Sequence, residues 1–242
     1  MRAIVTGHSR GLGAAICAAL LEDGATVLAL SRKGNAALAE RHGERLREIP
    51  IDLADTGQLI ALTTAGDWHG FLGGSTPAFL VNNAGDLGPV AAIGRQGGSE
   101  IGRAVAINVT AALILGDAFV AATEAATDRR LLHVSSGAAR SAYAGWSVYC
   151  ASKAALDHHA RAVERDRVPG LRAASVAPGV IDTDMQAVVR SSTADDFPAI
   201  DRFRALHRDG QLQSPSATAR RLVDYLQSPS FGAQATADLR DL

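Results

Sequence analysis

Cysteine and clustered basic charge are scarce in this chain. Cysteine occurs twice in 242 residues, at Cys17 and Cys150, each inside an apolar helical pattern. This usage predicts buried free thiols and argues against a disulfide framework. The formal net charge is −1, and no run of Lys or Arg occurs. The sequence therefore lacks the electrostatic signature of a protein that binds nucleic acid or a membrane surface.

A targeting segment and an uninterrupted membrane span are also missing from the pattern. The chain runs at once into a predicted strand and turn at residues 3–7, so we expect no removable signal peptide and a cytoplasmic protein. Residues 105–122 are apolar almost all round, but Asn108, Thr110 and Asp117 interrupt them. We expect a helix that is buried on every face, with one side against a sheet and the other against a partner such as a second subunit.

Runs of β-forming residues alternate with helical patterns, and several of these runs are continuously apolar. Strands buried on both faces show such runs, and the alternation is typical of right-handed βαβ units. The sequence therefore predicts an α/β fold, a doubly wound parallel sheet with helices on both faces. The predicted strands are residues 2–6, 26–31, 46–51, 79–83, 131–135 and 172–177, and the predicted helices lie near 11–23, 36–42, 56–64, 100–124, 148–167 and 215–227.

The character of the sequence changes after Pro178. Residues 182–213 are rich in charged residues, Ser and Thr, and contain two short helical patterns. Open α/β sheets bind ligands at the carboxyl ends of their strands, so we expect residues 182–213 to cover a substrate there. No internal repeat or linker divides the chain, and we expect one domain over residues 1–242.

A glycine-rich turn, T-G-H-S-R-G-L-G at residues 6–13, joins the first predicted strand to the first helix. Glycines at this place permit a tight turn and let backbone amides approach a pyrophosphate at the helix N-terminus. The alternative is a glycine-rich turn without a ligand. Its position between strand and helix favours a Rossmann-type dinucleotide site.

The end of the second predicted strand carries Ser31, Arg32 and Lys33, with Arg10 in the glycine loop nearby. Enzymes that use NAD usually place a carboxylate here for the ribose 2′-hydroxyl. A guanidinium and a hydroxyl suit a 2′-phosphate instead. We therefore expect NADP(H) in preference to NAD(H), against the alternative that these cations are only a solvated turn.

Tyr149 and Lys153 begin a strong helical pattern and lie on one face of it because they are four residues apart. A phenol with a pKa near ~10 is a poor acid at neutral pH, and a neighbouring ammonium lowers that pKa. Ser136, at the end of a predicted strand, places a hydroxyl where it can hydrogen-bond a carbonyl. The alternative is a surface Tyr and Lys without chemistry.

Several short motifs together resemble the short-chain dehydrogenase/reductase family over residues 2–185. They are the glycine loop, N-N-A-G at residues 82–85, Asn108, Ser135-Ser136, Tyr149-x-x-x-Lys153 and Pro178-Gly179. The resemblance implies a catalytic set of Asn108, Ser136, Tyr149 and Lys153, in which Asn108 distorts its helix to hold a water near Lys153. It implies that Asp52 and Leu53 contact adenine and that Thr183 holds the carboxamide. The full cofactor-binding set is Gly7, Ser9, Arg10, Gly11, Leu12, Gly13, Ser31, Arg32, Asp52, Leu53, Asn83, Ala84, Gly85, Tyr149, Lys153, Pro178, Gly179, Val180 and Thr183.

Three segments are similar to the sepiapterin reductase and benzil reductase branch of that family: N-A-G-D-L-G at residues 83–88, G-W-S-V-Y-C-A at 145–151 and A-P-G-V-I-D-T-D-M-Q at 177–186. The branch implies an NADPH-dependent reductase of an aromatic or vicinal dicarbonyl, with Tyr149 as proton donor. The substrate-binding candidates are Ser136, Leu87, Trp146, Met185 and Asp238. Trp146 is equally explained by packing, and Asp238 by a solvated terminal carboxylate.

Two other functions remain open, an oxidative dehydrogenase of a secondary alcohol and a non-catalytic NADP-binding regulator. The intact catalytic set argues against the regulator.

His158 and His159 are adjacent and have no acidic or cysteine partner at ligand spacing, so we expect no metal site. The family implies a homodimer or homotetramer, formed through the helix at 100–124 and the helix after Tyr149.

Overall fold

The computed structural model describes residues 1–74 and 76–242, and within them it contains a seven-stranded sheet. All neighbouring strands pair in parallel, in the order β3-β2-β1-β4-β5-β6-β7. The order reverses between β1 and β4, which opens a crevice at their carboxyl ends. The strands are β1 Arg2–Thr6, β2 Thr26–Ser31, β3 Leu46–Pro50, β4 Ala78–Asn82, β5 Arg129–Val134, β6 Leu171–Ala177 and β7 Thr236–Asp238.

Helices cover both faces of the sheet, so the predicted doubly wound fold is confirmed. They are α1 Gly11–Glu22, α2 Ala36–His42, α3 Thr56–Thr64, α4 Gly66–Leu72, α5 Gly98–Val105, α6 Ala111–Ala122, α7 Ser147–Asp166, α8 Asp184–Ser191, α9 Ile200–Arg208 and α10 Pro215–Gln227. A π-helical turn, Ala106–Thr110, joins α5 to α6.

The alternation of side chains along each strand divides the core into two layers. In β1, Ala3 and Val5 pack with α1 and α10 on one face, while Ile4 packs with α3, α4 and α6 on the other. All three side chains are fully buried. Burial of a large aliphatic side chain stabilises the fold by about 1.5–3 kcal/mol, so a one-residue shift of β1 would exchange the two layers at high cost.

The structure differs from the predicted elements mainly at the start of β5 and in two short elements, β7 and α4. β5 begins at Arg129, two residues before the predicted start, because the Arg129 and Arg130 guanidinium groups donate to backbone carbonyls such as those of Val120 and Leu226. The short strand β7 and the helix α4 were not predicted. β7 has only three residues, too few to show a pattern. The helix α4 has seven residues and packs on the core through the buried Trp68.

The apolar segment forms the helical stretch Gly98–Ala122, with a mean hydropathy of 1.9 in its most apolar window. Leu115 and Phe119 are fully buried against the sheet, but only 39% of that window is buried. The described residues thus cover the side that faces the sheet, as predicted, and burial of the other side by a partner stays a prediction. By length and composition alone the stretch could cross a membrane, but a core helix passes the same test.

Both cysteines are free thiols, as the sequence predicts. Cys17 is fully buried in α1, and burial raises the pKa of its thiol to about 12, with a further contribution from the Glu48 carboxylate. Cys150, in α7, is only half-buried. The predicted burial therefore holds for Cys17 alone.

Candidate active site

The glycine loop turns tightly between β1 and α1. Gly7 and Gly11 have φ values of 74° and 58°, a region that favours glycine. A Cβ on Gly13 would lie 2.1 Å from the Gly7 carbonyl oxygen, so the loop and the helix meet without room for a side chain. Among the described residues, no side chain caps the N-terminus of α1. Free backbone N–H groups and a glycine cradle fit the pyrophosphate of a dinucleotide.

A buried histidine beneath this loop, paired with a half-buried carboxylate, was missed by the sequence reasoning. His8 is 1% exposed, and its Nε2 lies 2.6 Å from Glu48 Oε1. The same oxygen accepts from the Asn35 backbone N at 2.6 Å, and Ser31 Oγ lies 3.2 Å from His8 Nδ1. These contacts connect the glycine loop, the end of β2 and β3. A single histidine in a glycine-rich turn does not indicate that it pairs with a carboxylate forty residues away.

The predicted adenine end of the cleft carries Arg32 and Lys33, both exposed beyond the end of β2. Asp52 accepts from the Ala54 backbone N–H and pairs with Arg103 at 3.2 Å. The Ala54 hydrogen bond, then Arg103 and the charge of Arg32, lower the pKa of the Asp52 carboxyl.

Arg10 does not point freely toward the predicted phosphate position. Its guanidinium pairs with Asp184 at the start of α8, at 2.8 Å, and both side chains are largely exposed. An exposed pair of this kind contributes about 0–1 kcal/mol. The contact joins the glycine loop to the segment that follows β6.

Two further predicted segments line the same edge of the sheet. Asn83 donates from its backbone N to Thr6 Oγ1 at 3.0 Å and from Nδ2 to the Thr6 carbonyl at 2.9 Å, which connects the end of β4 to β1. Thr183, at the end of the loop after β6, has its methyl group 3.5 Å from the place of a Cβ on Gly11. The predicted cofactor residues on β1, β4 and the loop after β6 are therefore brought together.

The predicted catalytic side chains also meet at this edge. Tyr149 and Lys153, on α7, are 7% and 3% exposed, and Ser136, after β5, lies close enough to the Tyr149 phenol to lower its pKa. Lys153 Nζ lies 5.8 Å from the centre of the Tyr149 ring and donates to the Val134 carbonyl at 2.8 Å. The ammonium faces the ring and the end of β5.

The structure corrects the predicted electrostatics of this pair. Burial raises the pKa of the Tyr149 phenol, and the Ser136 hydroxyl opposes part of that rise. Burial also lowers the pKa of Lys153 to about 8, against the opposing charge of Asp157. The predicted net lowering of the phenol pKa is wrong for this arrangement, because desolvation is the largest influence on that pKa and raises it.

Asn108 lies in the π-helical turn between α5 and α6, so the implied distortion of its helix is present. Its Oδ1 accepts from the Asp86 backbone N–H at 2.7 Å. Its Nδ2 donates to the Asp86 carbonyl at 2.7 Å and to Ser152 Oγ at 3.0 Å. The side chain thus connects the loop after β4 to α7 immediately before Lys153.

An aromatic cluster lies on one side of Tyr149. Trp146 stacks on Phe197 with ring centres 4.3 Å apart and contacts the Tyr149 ring edge-on at 5.6 Å. The Trp146 indole Nε1 is buried and has no hydrogen-bond partner among the described residues. Phe203 of α9 joins this cluster, which also includes the predicted residues Leu87, Val180 and Met185. The segment after β6 therefore packs directly beside the phenol.

Asp238 lies at the end of β7, but its carboxylate is engaged. It accepts from the Arg240 backbone N–H at 3.0 Å and from the Arg240 guanidinium at 2.7 and 2.8 Å. These hydrogen bonds lower the pKa of Asp238. The side chain is 10% exposed, so it is neither a solvated carboxylate nor a free substrate ligand in this arrangement.

Comparison with known proteins gives relatives over nearly the whole chain. The benzil reductase ((S)-benzoin forming) of Bacillus cereus is 34% identical over 241 residues, with 94% of each chain covered. The sepiapterin reductase of Bos taurus is 31% identical over 257 residues, covering 98% of this chain and 94% of the relative. The predicted likeness to this branch is confirmed.

Solved structures agree with this family relationship. A short-chain dehydrogenase/reductase from Burkholderia vietnamiensis is 45% identical, with a TM-score of 0.73 and coverage of 100% of this chain and 97% of the other. A short chain dehydrogenase from Burkholderia cenocepacia in complex with NADP is 29% identical, with a TM-score of 0.78 and coverage of 98% and 94%. A sequence model of the short chain dehydrogenases matches residues 1–194. The chain therefore belongs to the short-chain dehydrogenase/reductase family of oxidoreductases.

Proposed function

We propose that this oxidoreductase is an NADPH-dependent carbonyl reductase that acts on aromatic or vicinal dicarbonyl compounds. The observation that carries the proposal is the placement of Ser136 near the buried Tyr149 phenol, with Lys153 Nζ 5.8 Å from the centre of the Tyr149 ring. The pair lies at the same edge of the sheet as the glycine loop. Hydroxyl donors next to a dinucleotide cradle suit a carbonyl oxygen that gains negative charge.

The residues would divide the chemistry as follows. Reduced nicotinamide, when bound, supplies the hydride. Ser136 donates a hydrogen bond that orients the carbonyl oxygen, and Tyr149 gives its proton to that oxygen. The raised pKa of the phenol keeps it protonated at neutral pH, as reduction requires. Lys153, charged below about pH 8, favours the phenolate that remains.

Three observations support NADP(H) as the cofactor. Arg32 and Lys33 are exposed beside the predicted adenine pocket, and the charge of Arg32 contributes to the lowered pKa of Asp52. Glu48, a carboxylate close to this region, is already paired with His8 and Asn35. Among the described residues both nearby carboxylates, Glu48 and Asp52, are engaged, and a positive surface of this kind favours a 2′-phosphate over a hydroxyl. Arg10 would join this surface by leaving Asp184.

The aromatic cluster supports the proposed substrate class. Trp146, stacked on Phe197, packs edge-on against the Tyr149 ring, and apolar aromatic surroundings of this kind suit an aromatic ketone. The unpartnered indole N–H of Trp146 suits the second oxygen of a vicinal dicarbonyl. Residues 182–213 would cover the substrate from this side, within one domain of residues 1–242. Asp238 would contact substrate only if Arg240 moved away.

The uncovered side of Gly98–Ala122 supports a homodimer or homotetramer, formed with α7 of each subunit. Such an assembly would bury the apolar residues that the described chain leaves open, among them Val105 at 39% exposure. We propose a cytoplasmic protein, in keeping with its small-molecule substrate and cofactor. Nucleic acid and membrane are not expected partners.

The test is a spectrophotometric assay of cofactor oxidation with a panel of vicinal diketones, quinones, pterins and simple aliphatic ketones, each with NADPH and with NADH. We expect turnover of an aromatic diketone such as benzil with NADPH, and at least about tenfold lower kcat/KM with NADH. Aliphatic ketones lack the aromatic contacts and serve as the comparison. Absence of NADPH oxidation with every compound would reject the proposal.

A further inference from the structure

A second carboxylate lies buried one helical turn after Lys153. Asp157 is 4% exposed. Its Oδ1 accepts from Ser135 Oγ at 2.6 Å and from Ser175 Oγ at 2.8 Å, and its Oδ2 accepts from Arg140 Nε at 3.1 Å. All of these partners are donors, so they match the group as a charged carboxylate. A buried charge persists only with such partners.

These contacts reach the elements that hold Ser136, Tyr149 and Lys153. Ser135 is the residue before Ser136, and Asp157 shares α7 with Tyr149 and Lys153. Arg140 follows Ser136 in the chain and also donates to the Ala237 carbonyl of β7 at 2.9 Å. One carboxylate thus connects the ends of β5, β6 and β7 to the helix that carries the acid.

Asp157 also supplies the negative charge nearest to Lys153 along α7. The ammonium faces the Tyr149 ring, the Val134 carbonyl and His133 of β5, with Arg140 beyond Asp157. From the loop after β4 it faces Gly85, with the neutral Asn108 amide close by and Asp86 bonded to that amide through its backbone. Burial lowers the pKa of His133 to about 3, so it is neutral at working pH. Asp157 therefore opposes the desolvation of Lys153, whose pKa it raises.

We propose that Asp157 is a positioning residue of this active site, whose buried carboxylate keeps Lys153 charged and holds the strand end that carries Ser136. The proposal rests on the carbonyl reductase function proposed above. It assigns to Asp157 no contact with substrate or cofactor.

The chain offers a direct readout because it contains only two lysines, Lys33 and Lys153. In protein labelled with ¹³C and ¹⁵N lysine, NMR follows the titration of each side chain without any substrate. Lys33 is exposed and serves as the internal reference. Lys153 of the wild type should titrate near pH 8. In Asp157→Asn its midpoint should fall by at least about half a pH unit, since an attractive charge is lost.

Matched variants separate charge from packing. Ser175→Ala removes one hydrogen bond to Asp157 without removing the charge, and the midpoint of Lys153 should stay within about 0.2 pH unit of the wild type. If Asp157→Asn does not fold, Asp157→Ser removes the same charge with a smaller side chain and gives the same reading. An unchanged Lys153 midpoint in the folded neutral variant would overturn the proposal.

Activity supplies a second and separable result. The kcat for reduction should fall with rising pH as Lys153 loses its proton, and in Asp157→Asn this fall should occur at lower pH by the same shift. A shifted Lys153 midpoint with an unshifted kcat profile contradicts the role in the reaction. If the wild type oxidises no NADPH, the proposed function fails, while the NMR titration still decides whether Asp157 controls Lys153.

Discussion

At the scale of single residues, the predicted cofactor site depends on a few close contacts that exclude a larger side chain. Gly13 shows this most directly. A Cβ there would lie 2.1 Å from the Gly7 carbonyl oxygen and 2.4 Å from Asn83 Nδ2. Either the loop or the end of β4 must then move, and both line the predicted cofactor cleft.

We predict that Gly13→Ala weakens NADPH binding at least about tenfold and lowers the stability of the fold by about 1–3 kcal/mol, as forced overpacking does. Fluorescence titration with NADPH and urea unfolding measure the two effects. Gly70→Ala, in α4, is the matched control, because a Cβ at that exposed helical position meets nothing within 4 Å. NADPH binding by Gly13→Ala as tight as by the control would contradict the account of the loop.

The catalytic residues show what a motif leaves undetermined. The four-residue spacing correctly places Tyr149 and Lys153 on one face of α7. The spacing gives no information on burial, and burial decides the direction in which both pKa values move. Asp157 was not predicted for a related reason. An acidic residue within a helical pattern is normally interpreted as solvent-exposed, and its partners near the ends of β5 and β6 are known only from the structure.

At the scale of elements, hydrophobic periodicity was sufficient for long segments and insufficient for short ones. The predicted bounds of β1, β2, α2, α3 and α10 agree with the structure. These segments have apolar patterns that agree with their burial. β7 has no comparable pattern, because its three residues are stabilised by pairing with β6.

The π-helical turn at Ala106–Thr110 is an element that periodicity does not show. The distorted backbone carries the Asn108 side chain, which is hydrogen-bonded to Asp86 and Ser152. The resemblance to the family predicted this distortion, whereas the residue pattern alone did not. The covering segment illustrates the same difference: its two short helices were visible in the sequence, but the stacking of Phe197 on Trp146 depends on the tertiary fold.

At the scale of the whole molecule, a buried histidine couples stability to pH. His133 lies fully buried in β5, between Asn82 Nδ2 at 3.3 Å and His159 Nδ1 at 3.0 Å. Burial, together with the charges of His159 and Lys153, lowers its pKa to about 3. The unfolded chain takes up the proton near pH ~6.5. The contribution of neutral His133 is therefore present above about pH 6.5 and is lost as the pH falls toward 3.

We predict that the wild type loses about 2 kcal/mol more unfolding free energy between pH 7 and pH 5 than His133→Gln does. The variant keeps a polar side chain between Asn82 and His159 but does not titrate. Urea unfolding at the two pH values measures the difference. Equal losses of unfolding free energy in both proteins would contradict the prediction, because they would show that protonation of His133 does not destabilise the folded state.

The most direct test of the account concerns the proton of Tyr149. We would measure NADPH oxidation with benzil, together with the Kd for NADPH, in the wild type and in Tyr149→Phe. Removal of a positioned general acid should lower kcat at least about a hundredfold, while the Kd for NADPH stays within about threefold because the glycine loop is untouched. Turnover of Tyr149→Phe within tenfold of the wild type would contradict the assignment of Tyr149 as proton donor.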